Sequence, residues 1–108
     1  MINLTRAGSQ DLSSSAMSEE FDFNQSCELI TVYIHASVNI TETVTITFVS
    51  RDGSTYDTVI DVANMQAESD YVFSATGGLG LNEGDKVKVA VTNANTTGIV
   101  YVTVKTKR

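Results

Sequence analysis

Residues 27–50 read CELITVYIHASVNITETVTITFVS. Ile30, Val32, Ile34 and Ala36 alternate with Leu29, Thr31, Tyr33 and His35, and beyond an interruption at Val38–Thr41 the alternation resumes, Val44, Ile46 and Phe48 against Thr43, Thr45 and Thr47. Successive side chains of a strand point to opposite faces, so a period of two sustained over this length predicts two β-strands. Threonine at the second set of alternate positions suits a half-exposed strand face.

The same pattern extends outward in both directions. Phe21 and Phe23 share a face and open the first strand, which Asn24-Gln25-Ser26 interrupts. Arg51-Asp52-Gly53-Ser54 is a hairpin turn, because Asp-Gly supplies the positive φ that such turns use. Strands follow over Thr55–Val62, Asp70–Ala75, Lys86–Thr92 and Ile99–Lys105, with Ala63–Ser69 as a loop or one helical turn and Thr76–Gly80 as a flexible connection. Six to eight short strands at spacings near ten residues, without a convincing helix, predict an all-β antiparallel β-sandwich or jelly roll. The 108 residues suffice for one such core, over residues 21–108.

Residues 1–20 differ in kind. They hold five serines, few large apolar groups and no usable period. Such a segment does not offset its own ordering entropy, so it is expected as an extended N-terminal arm held by a neighbour, with Ile2, Leu4 and Leu12 as small anchors. Strands that are apolar on both faces point the same way. Leu29 and Tyr33 lie opposite Val32 and Ile34, and Ile99 and Tyr101 lie opposite Val100 and Val102. One face fills the sandwich, and the other needs cover from the arm or from a partner.

The formal net charge is −6, which argues against a nucleic-acid partner, since phosphate binding draws on cationic side chains. All thirteen acidic residues stand at or before Asp85, whereas Lys86, Lys88, Lys105, Lys107 and Arg108 follow with no acid among them. That basic segment is either a solvated face or an edge that meets an acidic surface, including one on a second copy. No apolar run approaches the roughly 18–20 residues of a membrane helix. The first twenty residues have no signal-peptide core, and Cys27 is the only cysteine, so synthesis in the cytoplasm is expected.

Chemistry is poorly represented. Cys27 and His35 share a face by parity, but eight strand residues hold them about 26 Å apart, and there is no second histidine. Asp52, Asp57 and Asp61, or Glu83 with Asp85, supply oxygens without a recognised calcium-loop spacing, and Asp52 and Asp85 read better as turn formers. Gly77-Gly78-Leu79-Gly80 lacks a phosphate-loop lysine and a following helix. No catalytic residue, metal or cofactor is therefore expected. Tyr33, Tyr56, Tyr71 and Tyr101 would stack on sugars if they lined one exposed face, and otherwise serve core or interface.

The runs Leu29-Ile30-Thr31-Val32-Tyr33-Ile34-His35, Thr45-Ile46-Thr47-Phe48, Gly53-Ser54-Thr55-Tyr56-Asp57-Thr58-Val59 and Gly84-Asp85-Lys86-Val87-Lys88-Val89, with the final strand around Tyr101, resemble the strand series of small structural proteins of tailed bacteriophages, among them capsid cement (decoration) proteins. The resemblance covers roughly residues 27–105 and carries no active-site signature. It implies a jelly-roll or β-sandwich virion component, in dimers or trimers, that binds the major capsid protein on the outer head surface and clamps neighbouring coat subunits. Its interface would comprise Ile2, Leu4, Leu12, Leu29, Tyr33, Ile99, Tyr101, Lys105, Lys107 and Arg108. A neck, tail or fibre component and a carbohydrate-binding or adhesion module are the alternatives.

Overall fold

The computed structural model describes residues 3–23, 25–95 and 98–108. They form six strands: β1 (Asn3–Asp11), β2 (Met17–Asp22), β3 (Cys27–Val49), β4 (Thr58–Leu81), β5 (Lys86–Val91) and β6 (Ile99–Lys107). The fold is all-β and antiparallel throughout, as the alternation predicts. Among the described residues the helical structure is one short 3-10 turn at Ser54–Tyr56, and no helix is long and apolar enough to cross a membrane.

Two long strands replace the four short ones expected between residues 27 and 81. β3 and β4 make one hairpin, and it bends in its middle. On β3 the pairing jumps from His35↔Asp70 to Ile40↔Glu68, a bulge of several residues against one. On β4 the bend falls at Ala67, a non-glycine residue at φ 53° whose N–H donates to Thr41 Oγ1 at 3.0 Å. The interruption read at Val38–Thr41 is this bend, not a chain reversal.

The bend turns one hairpin into two sheet faces. The first half of β3 pairs with β6 (Tyr33↔Thr103), and β6 with β1 (Thr103↔Ala7). The second half pairs with β5 (Ile46↔Val89), and β5 with β2 (Val89↔Glu19). The strand order is β1-β6-β3-β5-β2, with β4 beside both halves of β3. Val32, Ile34, Val100, Val102 and Val104 from one face meet Val44, Ile46, Val87, Val89 and Val91 from the other, all buried. This is the sandwich-like core that the period of two specifies.

The N-terminal segment is extended, but it lies in the sheet instead of reaching away. Residues 3–11 pair with β6 from Asn3↔Lys107 to Asp11↔Ile99, and a boundary at residue 20 would cut through β2. The first strand therefore starts well before Phe21. Polar composition conceals it because its inward positions, Leu4, Arg6, Gly8 and Gln10, hold one large apolar residue, and the strand is held by backbone pairing with β6. Leu12 is not an anchor on a neighbour: it is fully buried, and its N–H donates to Gly98 O at 3.0 Å. Leu4 is half-buried against the same core, and Ile2 lies outside the described residues. Gly98 sits at φ +82°, and a Cβ there would come within 2.8 Å of Val38 Cγ2, so the turn that receives Leu12 requires glycine.

Leu12→Ala leaves a cavity in the core and is expected to cost about 2–5 kcal/mol. Urea unfolding checks this, and an unchanged midpoint would return Leu12 to the surface.

Candidate docking face

The outer face of the β1–β6–β3–β4 sheet gathers Tyr33, Ile99, Tyr101 and Lys105 from the site residues expected from sequence. Cross-strand partners share a face, so the register places three rows on it. Val72, Tyr33, Thr103 and Ala7 form the middle row; Asp70, His35, Tyr101 and Ser9 lie on one side of it; Ser74, Thr31, Lys105 and Thr5 lie on the other. Ile99 continues the face beyond Tyr101, opposite Asp11. Val72 is 51% exposed, Tyr101 45%, Tyr33 40% and Ile99 36%, while their chain neighbours Ile34, Val100 and Val102 are buried, so these groups project from the rigid side of a packed sheet.

Polar contacts set the geometry of the face. Lys105 Nζ lies 5.3 Å from the centroid of the Tyr33 ring, within cation–π range. The His35 and Tyr101 rings stack at 6.3 Å with 26° between planes. His35 Nδ1 meets Asp70 Oδ1 at 2.7 Å, and Ser69 Oγ donates to Asp70 Oδ2 at 2.8 Å. These two hydrogen bonds hold the Asp70 carboxyl below its ordinary value. Ser69 is thus turned to the carboxylate and not to the imidazole, so the trio has no hydroxyl poised for activation by the ring.

Three expected members are placed elsewhere or differently. Leu29 is fully buried and not on the outer face, because the register slips between Leu29 and Thr31 and reverses the parity. The same slip puts Cys27 in the core, opposite in facing to His35, so the two do not share a face. Lys107 is drawn back to Glu28, with Nζ to Oε2 at 3.7 Å, and Arg108 is exposed at the chain end. Val72 and Asp70 belong to the face but escaped the sequence reading. Their place depends on long-range pairing with His35 and Tyr33 in the first half of β3, and no local pattern reports that.

A second polar cluster lies where the sheets diverge. A cleft of about 210 Å³ is lined by Thr41, Glu42, Thr43, Asn64, Met65, Gln66, Thr92 and Ala94. Glu42 is buried on the inward face of β3. Burial pushes its carboxyl up, but hydrogen bonds from Thr92 Oγ1 (2.6 Å), Asn95 N–H (2.8 Å) and Ala94 N–H (2.9 Å) outweigh this and leave it below the ordinary glutamate value of 4.5. Its acceptors are committed to the β5–β6 connection, so Glu42 is a clamp on that connection. Asp85 acts alike at the other end, accepting from Arg51 N–H at 2.9 Å and Asn82 N–H at 2.8 Å.

No protein-family model and no curated protein matches the chain. Among solved structures it is similar to the NLP-core of Drosophila, with a TM-score of 0.49 and 14% identity over 97% of this chain and 99% of that one. That structure is described as giving insight into pentamer formation and histone binding. The expected role as a bacteriophage head cement protein finds no support in the family models, the curated proteins or this neighbour and is set aside. At this identity and TM-score the likeness is no argument about what the present chain binds.

Because the folded Glu42 carboxyl titrates below its unfolded value, its stabilisation is complete above about pH 4.5 and is lost as the pH falls through the lower folded value. Glu42→Gln is expected to cost about 1–3 kcal/mol at pH 7, with a gap to the unsubstituted chain that narrows below pH 4. Thermal unfolding across pH 3–7 reads the difference directly.

Proposed function

We propose that this chain is a non-enzymatic assembly module that associates with copies of itself through the outer face of the β1–β6–β3–β4 sheet. One observation carries the reading: Tyr33, Val72, Tyr101 and Ile99 form neighbouring exposed groups on a single rigid face, bordered by Lys105, Asp70 and Asp11. Single exposed apolar residues are ordinary. A contiguous set with aromatic residues inside and charges outside is how a protein-binding patch is arranged.

The residue chemistry supports association over catalysis. The histidine on the face is committed on one nitrogen to Asp70, and the Ser69 hydroxyl faces the carboxylate. The cysteine is buried. Tyr71 is inward-facing and hydrogen-bonded to Asp61; burial, followed by that contact, pushes its phenol up to about 12, far from a working acid or base near neutrality.

Sedimentation equilibrium over a concentration series is the test. The unsubstituted protein is expected at a multiple of the monomer mass, and Tyr33→Ser with Tyr101→Ser to shift it to monomer while unfolding temperature changes little. A protein that stays monomeric at the highest concentration overturns the reading.

A further inference from the structure

Resting on that self-association, we infer that the face makes a two-fold dimer held by reciprocal Lys105–Asp70 pairs between copies. The argument starts from position. Lys105 is on β6, one row to one side of Tyr33; Asp70 is on β4, one row to the other side; Tyr33 on β3 is the midpoint of that diagonal. Strand spacing and rise put their two Cα positions roughly 17 Å apart within one copy, and among the described residues no ion pair joins the two side chains. A two-fold axis lying in the contact plane over Tyr33, perpendicular to the diagonal, exchanges the two ends. Each Lys105 then stands over the Asp70 of the other copy, and both contacts form at once, as an isologous interface demands.

Both groups have capacity left for a partner. Lys105 makes no ion pair among the described residues; its ammonium rests over the Tyr33 ring. Asp70 accepts one bond on each oxygen, from His35 and Ser69, and a carboxylate offers about four acceptor sites. The ground around the diagonal is largely uncharged: Tyr33 stands at the centre beside Val72 and Thr103, and Thr103 with Ala7 leaves small side chains over which the Tyr101 ring of the other copy can lie. The pattern of one positive end, one negative end and an apolar middle is complementary to itself when inverted. That is what favours a second copy as the occupant.

Charge exchange tests the geometry. Lys105→Asp and Asp70→Lys are each made alone, and thermal unfolding confirms that both remain folded. Each variant by itself sets like charges against one another at both contacts, so its dimer dissociation constant is expected to rise at least about tenfold. Mixed in equal amounts, the two variants restore both pairs in the heterodimer, and its dissociation constant is expected to return to within about threefold of the original. A dimer indifferent to both substitutions, or a mixture that stays monomeric, overturns the two-fold arrangement. An unsubstituted chain that is monomeric throughout overturns the self-association on which it rests.

Discussion

The bend in the β3–β4 hairpin is the constraint on which the rest of the molecule depends. A straight hairpin of this length would be a two-stranded ribbon with two exposed faces and no interior. Folding it over at Ile40 and Ala67 sets its two halves across from each other, and each half becomes a template for further strands. β6 and then β1 add to the first half, β5 and then β2 to the second. The hydrogen bond between Tyr71 and Asp61 joins residues ten apart on the same strand and ties the halves together inside the bend. The cost of turning an interior corner is met locally, by Thr41 Oγ1 accepting the Ala67 N–H and by Glu42 organising the neighbouring connection.

The polar interior follows the same logic. Among the described residues no buried side-chain nitrogen or oxygen lacks a hydrogen-bond partner. The buried acids Glu42 and Asp85 both accept from backbone N–H groups of loops that join strands consecutive in the chain. A carboxylate in such a position replaces the missing strand partner of a loop backbone, which would otherwise be left unsatisfied near the core. These acids are therefore part of the architecture, whereas Lys105 and Asp70 stand clear of it on the outside of the sheet.

Alternation along 27–50 made the all-β class legible, because a period of two survives a bend. The length of the strands was not legible. Val38–Thr41 and Ala63–Ser69 break the pattern just as a turn would, and only the pairing of Ile40 with Glu68 distinguishes a bulge from a reversal. Parity counting failed at Leu29 for a related reason: one slipped residue moves every side chain before it to the other face. Tyr33, Ile99, Tyr101 and Lys105 were readable as an outward set because no slip intervenes between them and the strands that bury Val32 and Val102. The serine-rich start carries no signal of its strand, because an edge strand buries little and polar residues suffice for it.

The strand order has a consequence for when this protein can fold. β1 and β2 are the first strands to leave the ribosome, yet β1 pairs with β6 and β2 with β5, the last two to be made. The bent hairpin can form earlier, but its two inner edges wait for residues 86–108, which also carry five of the seven cations. Until then the emerging chain is almost wholly anionic and has its interior valines unmatched. Its non-local pairing predicts folding that is slow for its size, with charge repulsion keeping the waiting chains apart.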